Sequence, residues 1–195
     1  MKKKILLLVM SAMLLTGCVS QQSTVTIDKK ANATVEKKFS YGSTYASDEL
    51  SKKAAEYFLN GVKAQNPISL QKYKTDEDMG YIAILKPGNV IDNDVLAIES
   101  FFKPNEGTKN INCQKEKKVV SCKADFNINL KNKDLEKLLD ENGLTYDDLE
   151  PYVLIMKLPN QAVSHNANFF DLEKNTYVWE IPAGGQADVK INFNI

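Results

Sequence analysis

Alternation of apolar and polar residues is the main pattern along this chain, and it is clearest near both ends. The last stretch alternates Val189, Ile191, Phe193 and Ile195 with polar residues, and residues 25–35 alternate similarly around a polar Asp-Lys-Lys segment. A period of two places alternate side chains on opposite faces of a strand. The pattern therefore predicts an N-terminal hairpin and a final strand with one buried and one wet face.

One segment repeats its apolar residues with the period of a helix instead. In residues 47–66, Ser47 stands before two acidic residues as a suitable N-cap, and one face carries the side chains of Leu50, Ala54, Ala55, Phe58, Leu59 and Val62. We therefore predict a core-packed amphipathic helix that ends before the following proline.

A second, shorter helix is predicted over residues 132–143, with Asn132 as its N-cap and Gly143 as its stop. Thr145 and Asp148 stand three residues apart and form a small capping box. Together with the first helix, these segments provide two or three helices.

Further strands are predicted around the helices. The stretch 67–90 is expected to give a short turn of helix and then a strand over residues 81–85. The largely apolar run 152–159 predicts a strand that is buried on both faces or lines a cavity.

Hairpins with few helices, and without repeated strand–helix–strand alternation, predict the α+β fold class. We expect a single domain over residues 24–195, mainly an antiparallel sheet of hairpins packed against two or three helices. This length suits one domain, and it is too short for the two-lobed solute-binding proteins of the cell envelope.

The N-terminus carries a different pattern. Three lysines precede an apolar stretch, residues 5–15, which reaches about 17 Å as a helix and is too short for a ~30 Å hydrocarbon core. This is typical of a secretory signal peptide, and its ending, Leu-Thr-Gly-Cys, resembles the lipobox of bacterial lipoproteins. The resemblance implies removal of residues 1–17 and acylation of Cys18, with residues 18–23 as the acylated cysteine and a short tether.

Acyl chains on Cys18 would place the protein at the cell membrane, lipid-anchored on its extracytoplasmic face. All 25 basic residues are lysines, and removing the three of the signal peptide leaves 22 against 25 acidic residues, a net charge near −3. No basic stripe is present, so nucleic acid is not an expected partner, and charge alone is not expected to bind the membrane.

Two further cysteines flank a charged turn. If that turn centres on Lys117 and Lys118, Cys113 and Cys122 lie opposite each other on antiparallel strands, near disulfide distance. An extracytoplasmic location permits such a disulfide. The alternatives are two free buried thiols or, least favoured, a zinc site with the lone His165 as a further ligand.

The sequence contains no recognisable catalytic motif. His165 follows Ser164, and neighbouring side chains of a strand point to opposite faces, so these two residues are badly placed as base and nucleophile. The acidic clusters at residues 76–78 and 92–94 lack the spacing of a calcium-binding loop. We therefore expect a protein that is not an enzyme and that has no cofactor and no metal.

The C-terminal part of the chain combines several features. They are Leu-Pro at residues 158–159, Asn-Ala at 166–167, the strand NTYVWEI at 175–181, and a glycine turn before the last strand. With the lipobox and the N-terminal hairpin, this set resembles the LppM-like domain of bacterial surface lipoproteins. The resemblance implies a cell-envelope protein with no known reaction and a capacity to bind lipid or glycolipid.

Two functions therefore remain open. In the first, an apolar interior holds lipid or glycolipid, and Trp179, Phe169 and Phe170 contribute to the binding surface beside the apolar strand. In the second, the core is solidly packed, Trp179 belongs to it, and the protein binds another envelope protein without a small-molecule ligand.

Overall fold

The computed structural model describes residues 19–42, 49–85, 88–89, 108–127, 133–141, 143–148, 150–182 and 186–195. The predicted signal peptide, the predicted acylation site Cys18 and the predicted helix caps Ser47 and Asn132 lie outside these residues.

Strands dominate the described part of the chain. The helices there are α1 (Glu49–Lys63), α2 (Lys133–Glu141) and a 3-10 turn (Tyr146–Asp148). The strands are β1 (Val19–Ile27), β2 (Asn32–Gly42), β3 (Ser69–Lys74), β4 (Asp78–Ile84), β5 (Gly88–Asn89), β6 (Thr108–Glu116), β7 (Val119–Asn127), β8 (Tyr152–Lys157), β9 (Ala162–His165), β10 (Phe169–Asp171), β11 (Thr176–Ile181) and β12 (Gln186–Asn194).

These strands form two sheets. The large sheet has the order β10-β11-β8-β1-β2-β4-β3, with β5 pairing β2, and the small sheet has the order β6-β7-β12-β9. Strands β1 and β8 run parallel, whereas the other paired strands are antiparallel. A parallel pair needs a long connection, and here everything from β2 to the 3-10 turn lies between its two strands.

Apolar side chains of both sheets meet in one core cluster, so the sheets pack face to face. Val25 and Leu154 of the large sheet share this cluster with Val120, Ile191 and Phe193 of the small sheet. A second cluster joins α1 to β2 and β4. Because alternate residues of β2 belong to both clusters, the small sheet and α1 cover different parts of the same face of the large sheet.

The predicted balance between sheet and helix is only partly right. The described chain is mostly strand, in two sheets that are antiparallel or mixed, and helices contribute less to the core than we expected. The reason is that, among the described residues, the small sheet covers more of the core-facing side of the large sheet than α1 does. Strand β8 accordingly buries Tyr152, Leu154 and Met156 on one face, while Val153 and Ile155 on the other are half-buried.

Two segments are strands where the sequence predicts other structures. Residues 19–23, predicted as part of a tether, begin β1, and residues 69–74, predicted to include a turn of helix, form β3. Neither segment has a strong apolar alternation, and pairing with neighbouring strands supplies the stabilisation. In β1, for example, the hydroxyls of Ser20 and Ser40 lie 2.6 Å apart across the β1–β2 pair.

Helix α1 agrees with its predicted apolar face. Ala55, Phe58 and Val62 are buried against β2 and β4, and the rings of Phe58 and Phe39 stack with centroids 5.3 Å apart. The chain leaves the helix through Asn66, whose φ of 48° is left-handed and suits an asparagine.

Further along the chain, a glycine ends α2 and a capping interaction begins the 3-10 turn. Gly143 has a φ of 67° directly after α2, as expected of a residue that ends a helix. The Asp148 carboxylate accepts hydrogen bonds from the backbone N–H of Thr145, at 2.8 Å, and from its hydroxyl, at 2.9 Å. The predicted capping box is therefore present in its acidic half.

Asp28 organises the turn between β1 and β2. Its carboxylate accepts hydrogen bonds from the backbone N–H groups of Lys30 and Asn32 at 2.7 and 2.9 Å, and from the Asn32 side-chain amide at 3.0 Å. These bonds, with the Asn32 side chain first, lower the pKa of Asp28 below its ordinary value of 3.8. The N–H and hydroxyl of Thr145 lower the pKa of Asp148 in the same manner, and hydrogen bonds from Lys174 and Glu173 lower that of Asp171.

These three turn carboxylates predict an acid-sensitive fold. A carboxyl group whose pKa is lower in the folded state stabilises that state above its unfolded-state pKa and loses the effect as pH falls through the folded value. The free energy of unfolding should therefore decrease as the pH is lowered past 3.8. Urea unfolding in an acidic pH series measures this. Asp28→Asn retains an acceptor but does not titrate, so its decrease should be smaller; an equal decrease would contradict the assignment.

Candidate functional site

Trp179 lies in the packed interior between the two sheets, where 2 % of its surface is exposed. Its indole Nε1–H donates to Oδ1 of Asn166 at 2.9 Å, and that same oxygen accepts the backbone N–H of Lys190 at 2.9 Å. The Asn166 amide also donates to the carbonyl of Asp188 at 2.9 Å. Asn166 therefore links β11 of the large sheet to β12 of the small sheet, and Trp179 is part of that link.

Phe169 and Phe170, by contrast, are more than half exposed, at 56 % and 55 %. They are consecutive residues of β10, so their side chains point to opposite faces of the large sheet. Phe170 pairs with Tyr177 and lies on the core-facing side, whereas Phe169 pairs with Val178 on the outer side. The structure thus places Phe170 on the same face as Trp179 and Phe169 on the other face.

Exposed apolar side chains concentrate at the edge where these strands end the sheets. We call Val163, Phe169, Phe170 and Leu172 the aromatic edge; all four are 48–60 % exposed and lie on or beside β9 and β10. Strand β9 is the last strand of the small sheet and β10 the last of the large sheet. Large apolar side chains on edge strands provide a recognition surface or promote aggregation, because the backbone groups of an edge strand are also unpaired on one side.

The aromatic edge is connected to the core through His165. The rings of His165 and Phe170 have centroids 5.0 Å apart, and those of His165 and the fully buried Tyr177 are 4.7 Å apart. The Tyr177 hydroxyl accepts the backbone N–H of Ala162 at 2.7 Å, which holds β9 near β11. A continuous aromatic path therefore leads from solvent to the interior.

His165 does not take part in a catalytic arrangement with its neighbour. Its Nδ1 accepts the backbone N–H of Ala167 at 3.2 Å, and it lies in β9 rather than in a loop. The Ser164 hydroxyl lies on the opposite face and accepts the side-chain amide of Asn192 at 2.7 Å. Within the described residues, no three His, Cys, Asp or Glu side chains are grouped so that they could hold a metal ion.

A row of paired residues crosses the core-facing side of the large sheet, and we call it the central row. Its members, from β11 to β3, are Trp179, Leu154, Ser23, Lys37, Ala83 and Leu70. Ser23 and Lys37 are its polar members, and they are 1 % and 4 % exposed. They lie where the cluster under the small sheet meets the cluster under α1.

The alternation of β2 contains a signal for one member of this polar pair. In β2 the core-facing positions are Ala33, Val35, Lys37, Phe39 and Tyr41, so Lys37 stands at an apolar position of the alternation. A charged residue at a buried position of a strand is rare unless it is paired with another polar group. Ser23 was missed because its segment was predicted to be a tether.

The cysteine hairpin has the geometry that the turn position predicts. Glu116 pairs with Val119 around Lys117 and Lys118, and Cys113 and Cys122 form a disulfide with their Cα atoms 4.1 Å apart. Both sulfur-bearing side chains lie against the main core cluster. The bond ties β6, the edge of the small sheet, to β7.

Breaking this disulfide should destabilise the protein moderately. A Cys113→Ala, Cys122→Ala double variant loses a cross-link over a short loop, for which we expect a decrease of about 2–3 kcal/mol in the free energy of unfolding. Urea unfolding of the two proteins measures the difference. Reduced wild-type protein is the matched control and should lose a similar amount; an unchanged midpoint in both would contradict the expectation.

The fold defines the class to which this protein is similar: a sheet-dominated α+β domain in which the large sheet packs against the small sheet in one cluster and against a helix in a second. Its structure is similar to the folded domain of LppM from Mycobacterium tuberculosis, solved by NMR, with a TM-score of 0.57. The match covers 91 % of this chain and 90 % of the LppM chain at 11 % sequence identity, so it shows the fold alone. No protein-family model and no curated protein matches the sequence.

The structural comparison agrees with the fold implied by the LppM-like resemblance. The stretch that resembles a lipobox is outside the described residues, so both the lipobox and the acylation of Cys18 stay predictions. Among those residues, no helix has the length and apolar character required to cross a membrane.

Proposed function

We propose that this protein is a non-catalytic lipoprotein of the cell envelope, held at the membrane by acyl chains on Cys18, that binds a lipid or glycolipid in its apolar interior. The observation that supports lipid binding is the aromatic path from the exposed Phe170 through His165 to the buried Tyr177. Such a path provides an apolar chain with contacts both at the surface and inside the protein. The similarity of fold to LppM is compatible with this function.

The position of the proposed anchor relative to the aromatic edge is informative. Cys18 directly precedes β1, which begins at Val19, so acylation would hold this end of the strand close to the membrane. Phe169 is level with Thr24 through the pairs in β11 and β8, five residues further along β1. At ~3.3 Å per residue, the aromatic edge begins about 17 Å from Val19 along the strand. An amphiphile would therefore enter or leave at a point about 17 Å from the end of β1 that the anchor holds at the membrane.

Lipid extraction tests this function. Residues 19–195, which contain all the described strands and helices, are purified without the anchor, and organic extracts are analysed by mass spectrometry. We expect co-purified lipid, or saturable uptake of added lipid. A Phe169→Ala, Phe170→Ala variant should take up several-fold less. Ile68→Ala, at an exposed apolar residue away from the aromatic edge, is the matched control and should bind normally. Absence of bound lipid together with no uptake would refute lipid binding.

Binding of another envelope protein is the second candidate function, and the exposure of the aromatic edge favours it. The four exposed apolar side chains on or beside the edge strands β9 and β10 can also be covered by a protein. A photo-crosslinking amino acid at position 170, on the core-facing side, is introduced into the full chain and activated in producing cells, and it separates the two functions. Adducts with lipid support the first function, whereas a single protein adduct whose yield is unchanged by added lipid supports the second.

A further inference from the structure

We propose that Lys37 and Ser23 bind the anionic group, a carboxylate or a phosphate, of an amphiphile whose apolar chain lies in the adjoining core. This inference rests on the proposed lipid-binding function and specifies its ligand class. It concerns the middle of the central row, not the aromatic edge through which a ligand would enter.

The two side chains are brought together by the pairing of β1 and β2. Ser23 is the direct partner of Lys37, and both point to the core-facing side because Val25 and Val35, two residues away on each strand, are buried core residues. Lys37 is 4 % exposed and Ser23 is 1 % exposed. The strand register therefore places an ammonium group and a hydroxyl group in the same buried region.

The Ser23 hydroxyl has an unused hydrogen-bonding capacity there. Its Oγ is fully buried, and no hydrogen-bond partner for it is found among the described residues. A buried hydroxyl without a partner is unfavourable, so a group that accepts its hydrogen would stabilise the bound state. This observation concerns Ser23 and is independent of the burial of Lys37.

The charge of Lys37 determines which group that is. An ammonium group carries three N–H donors and no acceptor, so it can bind an anion in addition to its other contacts. A carboxylate or phosphate accepts from both an ammonium and a hydroxyl, and hydrogen bonds between charged groups are stronger than neutral ones. An alcohol or ester of the same size would lack the charge that Lys37 recognises.

The surroundings of the pair suit the remainder of an amphiphile. On one side, Leu154 and Trp179 continue the central row into the core cluster between the sheets; on the other, Ala83 belongs to the cluster under α1. A head group held at Lys37 would thus place its chain among apolar side chains of these two clusters, which would have to move apart to admit it. The site would select for a negative charge through the polar pair.

Matched photoreactive probes test this assignment. The full-length protein, purified from membranes and placed in phosphatidylcholine nanodiscs, is exposed separately to diazirine-bearing palmitate, the corresponding palmityl alcohol and a diazirine-bearing phosphatidate. Labelled peptides are then quantified by mass spectrometry. We expect palmitate, phosphatidate or both to label peptides of the central row at least about tenfold more than the alcohol, the effect expected of one hydrogen bond to a charged group. Preference for one anionic probe identifies the head group.

Variants test whether Lys37 and Ser23 cause the preference for anionic probes over the alcohol. Lys37→Met, which preserves side-chain length, should reduce anionic labelling to the level of the alcohol, whereas Lys37→Arg should retain the preference for the anion. Ser23→Ala should lower the preference for the anion several-fold. Lys38→Met is the matched control, because Lys38 lies on the opposite face, over the Tyr73 ring at 5.1 Å, and it should behave as wild type. Trp179 fluorescence reports whether each variant is folded.

The possible outcomes separate this inference from the proposed function. Equal interior labelling by acid and alcohol, or a retained preference in folded Lys37→Met, would overturn the anion site and leave lipid binding standing. No interior labelling by any probe would overturn lipid binding itself, and this inference with it. Because the acid-to-alcohol ratio of the wild-type protein is itself decisive, the test holds even if Lys37→Met fails to fold.

Discussion

Trp179→Ala should lower the free energy of unfolding by about 3–5 kcal/mol, the largest single-residue effect that we expect in this protein. The side chain is 2 % exposed and fills the core cluster between the sheets. Its removal leaves a cavity and ends the hydrogen bond to Asn166 that links the sheets. Urea unfolding followed by far-UV circular dichroism measures the loss, because Trp179 is the only tryptophan and fluorescence is lost with it.

Two variants separate the parts of this effect. Trp179→Phe retains an aromatic ring but not the indole N–H, so it should cost less, about 1–2 kcal/mol for the smaller ring and the lost hydrogen bond. Phe169→Ala removes a similarly large side chain at an exposed position and should change stability by at most about 0.5 kcal/mol. If Trp179→Ala were as mild as Phe169→Ala, Trp179 would not be a core residue, and a ligand-stacking role would gain support.

Gly80→Ala should lower the free energy of unfolding by about 3 kcal/mol or more, the second large effect. A Cβ atom at this position would overlap the carbonyl oxygen of Phe39 and lie 2.9 Å from its carbonyl carbon, and these backbone atoms cannot rotate away. Gly80 is paired with Ser40 on one side and Tyr73 on the other, so β4 can relieve the overlap only by moving away from β2. Such a shift would also disturb the cluster under α1.

A second glycine provides the control for this prediction. Gly143 has a left-handed φ of 67° but open space where a Cβ atom would lie, so Gly143→Ala should cost only about 1 kcal/mol of conformational strain. Urea unfolding monitored by Trp179 fluorescence compares both variants with wild type. A Gly80→Ala protein within about 1 kcal/mol of wild type, no worse than this control, would mean that β2 and β4 do not approach as closely as the structure shows.

Local patterns predicted the elements whose stabilisation comes from nearby residues. The β1–β2 hairpin, α1 and the cysteine hairpin were all predictable, because the partners in each are separated by few residues. The turn at Lys117 and Lys118 alone determines that Cys113 and Cys122 are opposite. A short loop leaves few alternative registers, so sequence spacing determines the contact.

Other parts depend on pairs that are distant in the sequence. Residues 19–23 have no strong strand pattern, and they are a strand because β2 and β8 pair with them on both sides. Similarly, β3 is identified by its pairing with β4 and not by its own alternation. Periodicity does not show which strands will be neighbours, so neither the division into two sheets nor the parallel β1–β8 pair was predictable.

The candidate site was likewise predictable only in part. The sequence alone indicated Trp179, Phe169 and Phe170 as aromatic candidates, and the resemblances to a lipobox and to the LppM-like domain suggested where the protein works. Only the tertiary structure showed that Trp179 is buried, that the two phenylalanines face opposite sides, and that His165 connects Phe170 to the core. Each of these facts depends on contacts between β9, β10 and β11.

By itself, the sequence determined the local elements, the disulfide register and the alternation that marks buried strand faces. The tertiary structure decided which faces meet, and it therefore decided that Ser23 and Lys37 are buried together at the junction of two apolar clusters. The physical reason is that periodicity shows on which face of its strand a side chain lies, whereas burial depends on the sheet or helix that covers that face.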